Sequence, residues 1–107
     1  MGYIYEMEFD ISQNQMELLR VGEALEVGLG YLRALLPGEP GFVTSRAYYS
    51  IDTPDNVHVV FQSLWEQWED LVRHRNHSYL DEDKMLMRFK PHIDVNDLRT
   101  HIFEEIP

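Results

Sequence analysis

Residues 3 to 11, YIYEMEFDI, place Tyr3, Tyr5, Met7, Phe9 and Ile11 on one side of an extended chain and Ile4, Glu6, Glu8 and Asp10 on the other. That is the period of a strand with one face buried. From Ser12 the period changes: Ser12 and Gln15 form a capping box, and Leu18, Val21, Leu25, Leu29, Leu32 and Leu36 follow at spacings of three or four, which predicts a helix to about Leu36. The run PGEPG at 37 to 41 ends it, because two prolines and two glycines cannot continue the hydrogen-bond ladder. Phe42 to Asp52 and Val57 to Trp65 are rich in β-branched and aromatic residues, and TPDN at 53 to 56 supplies turn chemistry between them, so they predict a hairpin. Residues 66 to 90 return to helical spacing, in two pieces broken near Asn76 to Asp81 and closed by Pro91, and LRTHIFEEI at 98 to 106 predicts a last strand.

The order βαββαβ is that of the α+β, ferredoxin-like split unit: an antiparallel four-stranded sheet with helices on one face. At 107 residues the chain makes a single domain, 1–107. The helices leave one sheet face to account for. Alternation along the second strand puts Phe42, Thr44, Arg46 and Tyr48 on one side and Val43, Ser45, Ala47, Tyr49 and Ile51 on the other, and neither side is polar throughout. An uncovered face of this kind marks an interface, and two such sheets packed about a two-fold axis close a dimeric α+β barrel. The expected partner is a second copy of the chain.

Charge narrows the other partners. Nine Lys and Arg against 19 Asp and Glu give a net charge of −10, which repels nucleic acid and anionic membrane surfaces. The absence of cysteine excludes disulfides, thiolate zinc sites and a cysteine nucleophile. The first ten residues alternate instead of forming a basic then apolar leader, and no run of about 18 apolar residues occurs, so no signal peptide or membrane span is read and a cytoplasmic location is expected.

Three short stretches carry a resemblance: PGF at 40 to 42, SID at 50 to 52 at the hairpin, and LWEQWEDLVRHRNH at 64 to 77 at the exit of the third strand. With the element order, they resemble the antibiotic biosynthesis monooxygenase family of dimeric α/β-barrel proteins. The resemblance implies a homodimer with a pocket between sheet and helices, and oxidation of a small aromatic or other organic molecule without a bound cofactor. The alternative is a non-catalytic small-molecule-binding or structural dimer of the same fold. A haem-degrading branch of similar proteins uses an asparagine, a tryptophan and a haem-ligating histidine where this chain has Met7, His74 and Lys84, so haem is disfavoured.

Under this reading Tyr49, His101 and Arg46 are candidates for proton transfer and anion stabilisation, and Met7, Trp68, Arg75 and Tyr79 for ligand binding. GLG at 28 to 30 lies inside the first helix, which suits helix packing, and His74 with His77 lacks a third metal ligand fixed by the sequence, so neither cofactor nor metal is expected. On a helical wheel with Trp68 at zero, Val72 lies at about 40°, Tyr79 at about 20°, Arg75 at about −20° and Leu71 at about −60°, with His77 and His74 at about 180° and 240°. That wheel buries Trp68, turns both histidines to water and sets Arg75 inside the apolar stripe, where a guanidinium must pair or reach a cavity unless fraying of the helix near Asn76 turns it out to solvent.

Overall fold

The computed structural model describes residues 2–12, 21–50, 56–77, 89–93 and 95–106. Strand β1 (Tyr3–Ser12) is followed by helix α1 (Val21–Leu35), a 3₁₀ turn at Leu36–Gly38, strands β2 (Phe42–Tyr49) and β3 (Asn56–Trp65), helix α2 (Trp68–His77), 3₁₀ turns at Lys90–His92 and Val95–Asp97, and strand β4 (Arg99–Glu104). Gln15 of the predicted capping box and the first turns of the first helix, the hairpin turn, and the second helical piece with Tyr79 and Lys84 lie outside the described residues, while Ser12 is the last residue of β1.

The sheet order is β2-β3-β1-β4, with every neighbouring pair antiparallel. β1 and β3 take the two central places, and both alternate large apolar residues toward the core. Tyr5, Met7, Phe9 and Ile11 all turn inward, beside Val57, Val59, Phe61 and Trp65 of β3. Ala24, Leu25, Leu32 and Leu36 pack over them from α1 and the turn after it, Leu71 from α2, and Phe89 closes edge-on against Phe9 with ring centroids 5.1 Å apart. Burying a side chain of this size contributes about 1.5 to 3 kcal/mol, so this layer outweighs any surface pairing.

The entry of β2 departs from simple alternation. Phe42 pairs with Trp65 and Thr44 with Leu64, so Val43 is an extra residue in a bulge. One added residue reverses the parity of what precedes it, and Phe42 therefore shares the helix-covered face with Ser45, Ala47 and Tyr49 instead of the open face with Thr44, Arg46 and Tyr48. Its ring meets Trp65 at 5.6 Å.

Pairing register sorts the open face into rows across the sheet. Thr44, Leu64, Ile4 and Phe103 form one, Arg46, Gln62, Glu6 and His101 the next, and Tyr48, Val60, Glu8 and Arg99 the third. The expected apolar face is thus apolar at one end and charged toward the other.

Candidate active site

Sequence parity along β3 carries Val57, Val59, Phe61, Ser63 and Trp65 to the helix side, so a hydroxyl enters an otherwise apolar row. Ser45 of β2 is paired with Ser63, and both are buried. Ser63 Oγ accepts a 2.9 Å hydrogen bond from Trp65 Nε1, fixing the indole, while Ser45 Oγ has no hydrogen-bond partner among the described residues.

α2 adds the group that makes this corner chemical. His74 is 5% exposed. Its ring stacks on Trp65 with centroids 4.7 Å apart and planes at 27°, and meets Tyr5 edge-on at 5.7 Å. Glu39 approaches from the loop before β2, which is held by Glu39 N donating to Leu36 O at 2.9 Å and Glu66 N donating to Gly41 O at 2.8 Å. Glu39 Oε2 lies 3.2 Å from His74 Nδ1, near enough for an ion pair but off the axis of a good hydrogen bond, so the buried nitrogen has no well-formed partner. Leaving such an atom unmatched costs about 1 to 3 kcal/mol, a cost that a ligand able to bond it would remove. A concavity of about 240 Å³ opens here, lined by Glu39, Pro40, Asp70, Arg73 and His74.

Several expectations are corrected. Trp68, placed in the core by the wheel, is 43% exposed and leans edge-on against Tyr3 at 5.7 Å. His74, placed in water, is buried, and Arg75 is exposed instead of lying inside the apolar stripe. The buried arc of α2 runs through Leu71 and His74, about 90° away from Trp68. Trp68 is the first residue of the helix, beside the outer end of β1, where no facing layer remains to cover it.

Of the other candidates, Met7 is 3% exposed within the core. Tyr49 is on the helix-covered face, whereas Arg46 and His101 lie on the open face in one row but at opposite edges, with β3 and β1 between them. At about 4.8 Å per strand the two are some 14 Å apart across the sheet. These three do not form one site. Arg46 lines a shallow hollow of about 360 Å³ with Ile4, Leu64, Gln62 and Glu105.

His101 joins a polar network on the open face. Glu8 Oε1 accepts from Arg99 Nε at 2.8 Å and lies 3.1 Å from His101 Nε2, and Glu8 Oε2 lies 3.1 Å from His58 Nε2. The hydrogen bond from Arg99, with those from His101 and His58, holds the Glu8 carboxyl down at about 2, against partial burial. His58 also meets Asp10 Oδ1 through Nδ1 at 2.7 Å. Both its nitrogens face carboxylates, an arrangement only the protonated ring can satisfy by donating twice, and its pKa is raised, chiefly by Asp10.

No protein-family model matches the chain, and no curated protein matches it in sequence. Solved structures do match its fold. A Nitrosomonas europaea protein provisionally named an antibiotic biosynthesis monooxygenase superposes with a TM-score of 0.63 at 14% identity, over 98% of this chain and 99% of that one. A monooxygenase from the ActVA-Orf6 gene of Streptomyces coelicolor, in complex with nanaomycin D, gives 0.62 at 15%, over 99% and 88%. The chain has the fold of the antibiotic biosynthesis monooxygenases. An anthrone oxidase-like protein shares this monooxygenase fold over 95% of the present chain and 45% of its own, with a TM-score of 0.65 at 16% identity. Sequence reasoning found that architecture but missed the polar corner. The inward serines were signalled by parity within β3 and β2, and His74 by its place three residues after Leu71.

Proposed function

We propose that the protein is a cofactor-independent monooxygenase acting on a small phenolic or similarly electron-rich molecule, with His74 as the group that moves the proton. The observation that carries this is the buried imidazole itself, stacked on Trp65 and carrying an unmatched Nδ1 beside Glu39. Imidazole is the side chain most often used to take and return a proton in catalysis, and Glu39 lies beside its ring. The named monooxygenase and the anthrone oxidase-like protein of similar fold support the reaction class.

In this reading His74 takes the phenol proton, and the electron-rich phenolate reduces oxygen and forms a carbon–oxygen bond, giving a peroxide that His74 protonates. Removal of the ring proton at that carbon then breaks the oxygen–oxygen bond. One oxygen atom stays as a quinone carbonyl and the other leaves as water, so phenol and O₂ balance quinone and water with no outside reductant. An aromatic ring packs into the concavity lined by Pro40 and His74, with Trp65 and Tyr5 buried behind His74 and fixing its ring. The protein acts as a homodimer paired through the open sheet face, at the end where exposed Phe103 shares a row with Ile4 and Leu64.

Oxygen uptake with a panel of phenols and quinols, read beside thermal shift, tests the reading. Turnover by the native protein that is lost in a folded His74→Phe variant supports it. A thermal shift without oxygen uptake leaves a binding module, and uptake unchanged in His74→Phe removes His74 from the chemistry.

A further inference from the structure

Glu6 and Glu8 project from one face of β1, and His101 comes from β4 directly opposite Glu6. One ligand-type atom from each of the three lies within 4.8 Å of the others. We propose that Glu6, Glu8 and His101 form a binding site for one divalent first-row transition-metal ion on the open face of the sheet.

Donors at about 2.0 to 2.2 Å from such an ion sit about 3 Å apart when adjacent and a little over 4 Å apart when opposite. His101 Nε2 and Glu8 Oε1 already have the adjacent spacing, at 3.1 Å, so Glu6 needs only a small side-chain rotation to complete three converging ligands. Two carboxylates and an imidazole suit Mn²⁺, Fe²⁺ or Zn²⁺ better than a soft ion.

The groups around the three hold them as outer partners hold metal ligands. Gln62 Nε2 donates to Glu6 Oε1 at 2.8 Å, which fixes that carboxylate and leaves its other oxygen without a partner among the described residues. Arg99 steadies Glu8 Oε1 and also approaches Asp10 Oδ2 at 3.5 Å, and His58 bridges Glu8 and Asp10. Arg99 and His58 thus answer Glu8 and Asp10, and Glu6 adds a third carboxylate met only by the neutral Gln62, so even with His58 protonated the cluster keeps a net negative charge. Arg46, on the same row as Glu6 and His101, is at the far edge of the sheet. That residual negative charge favours a cation at the three converging ligands. This site is on the opposite face of the sheet from His74 and does not depend on the proposed oxygenation.

Chelator-stripped protein titrated calorimetrically with Mn²⁺ and with Zn²⁺ tests the site. One ion per chain is expected. His101→Ala and Glu6→Gln each weaken binding by more than about a hundredfold, beyond what loss of an outer partner costs, while circular dichroism and melting show them folded. His74→Phe, on the other face, leaves the affinity unchanged. The Co²⁺ absorption spectrum of the native protein, altered in His101→Ala, reports the imidazole ligand directly. No binding of either ion at millimolar concentration overturns the proposal, as does full affinity in His101→Ala, which leaves the cluster a network of ion pairs.

Discussion

The imidazole of His74 lies nearly parallel to the indole of Trp65, with ring centroids 4.7 Å apart. The two residues come from different elements, and Trp65 is wholly buried with His74 laid over one face of it and Phe42 edge-on beside it. Trp65→Ala should cost about 3 to 5 kcal/mol, the usual range for emptying a fully buried tryptophan site. His74→Phe keeps a flat ring on the indole and removes an unmatched nitrogen, so it should shift stability by less than about 1.5 kcal/mol. Urea denaturation of both variants checks the contrast. A large loss in His74→Phe would mean that the imidazole makes a polar contact stronger than its off-axis approach to Glu39.

Leu71 and Trp68 should behave in the reverse order of their sizes. Leu71 is fully buried and Leu71→Ala should cost about 2 to 5 kcal/mol, whereas Trp68 is 43% exposed and touches the core rim through Tyr3. Trp68→Ala should cost less than about 1.5 kcal/mol, near the worth of one aromatic pair. Equal losses in the two melts would place Trp68 back in the core.

That pair also marks how far the sequence was legible. Strand parity in β1 and β3 found Phe9, Val59, Phe61 and Trp65 correctly, because a period of two has one buried face and a slip of one residue is self-evident. The βαββαβ order followed from where the periods changed. The wheel for α2 failed because ten residues with Leu71 and Val72 as their only aliphatics do not fix a direction, and the largest ring was taken as the anchor. Helix ends obey what the adjacent layer leaves uncovered, and that is a tertiary fact. Phe42 changed face for a similar reason: the bulge at Val43 exists only through pairing with Leu64 and Trp65. Glu39 reaches His74 across 35 positions of sequence, and no local pattern announces such a meeting.

Gly41 has φ of 80°, and a Cβ there would run into the carboxylate of Asp70 at the start of α2. Positive φ is open to glycine without penalty, and here the missing side chain also lets the loop close onto the helix. Gly41→Ala should destabilise by about 1 to 3 kcal/mol and, by displacing the loop that carries Glu39, lower oxygen uptake more than its effect on folding alone. Melting curves with uptake measured well below the transition separate the two. An Ala variant as stable as the native protein would show that Asp70 simply swings away.

The open sheet face should hold two chains together at its apolar end. Sedimentation equilibrium should return twice the 12.7 kDa chain mass. Phe103, exposed in the single chain, shares a row with Leu64 and Ile4, and Phe103→Glu should shift the population to monomer without unfolding it, since a carboxylate cannot be buried there unpaired. A native monomer at micromolar concentration removes the barrel arrangement.

Acid and base should each remove a different part of the open-face network in chelator-treated protein. Glu8 is held at about 2 against an ordinary value of 4.5, so its contribution is complete above 4.5 and is lost as pH falls from there toward 2. His58 is raised above 6.5, so its contribution is complete below 6.5 and is lost as pH rises through its folded value. The network is therefore strongest between those limits. The two arms are separable, because the chief cause of the Glu8 shift is Arg99 and the chief cause of the His58 shift is Asp10. His58→Gln should flatten the alkaline arm and keep most of the acid one, and Glu8→Gln should do the opposite. Added salt should shrink both, since Arg99 and His58 are partly in water. Urea midpoints of the native protein and both variants across this pH span decide it. Alkaline loss that survives in His58→Gln would show that another group titrates there and that the bridge between Glu8 and Asp10 is not what the protein loses.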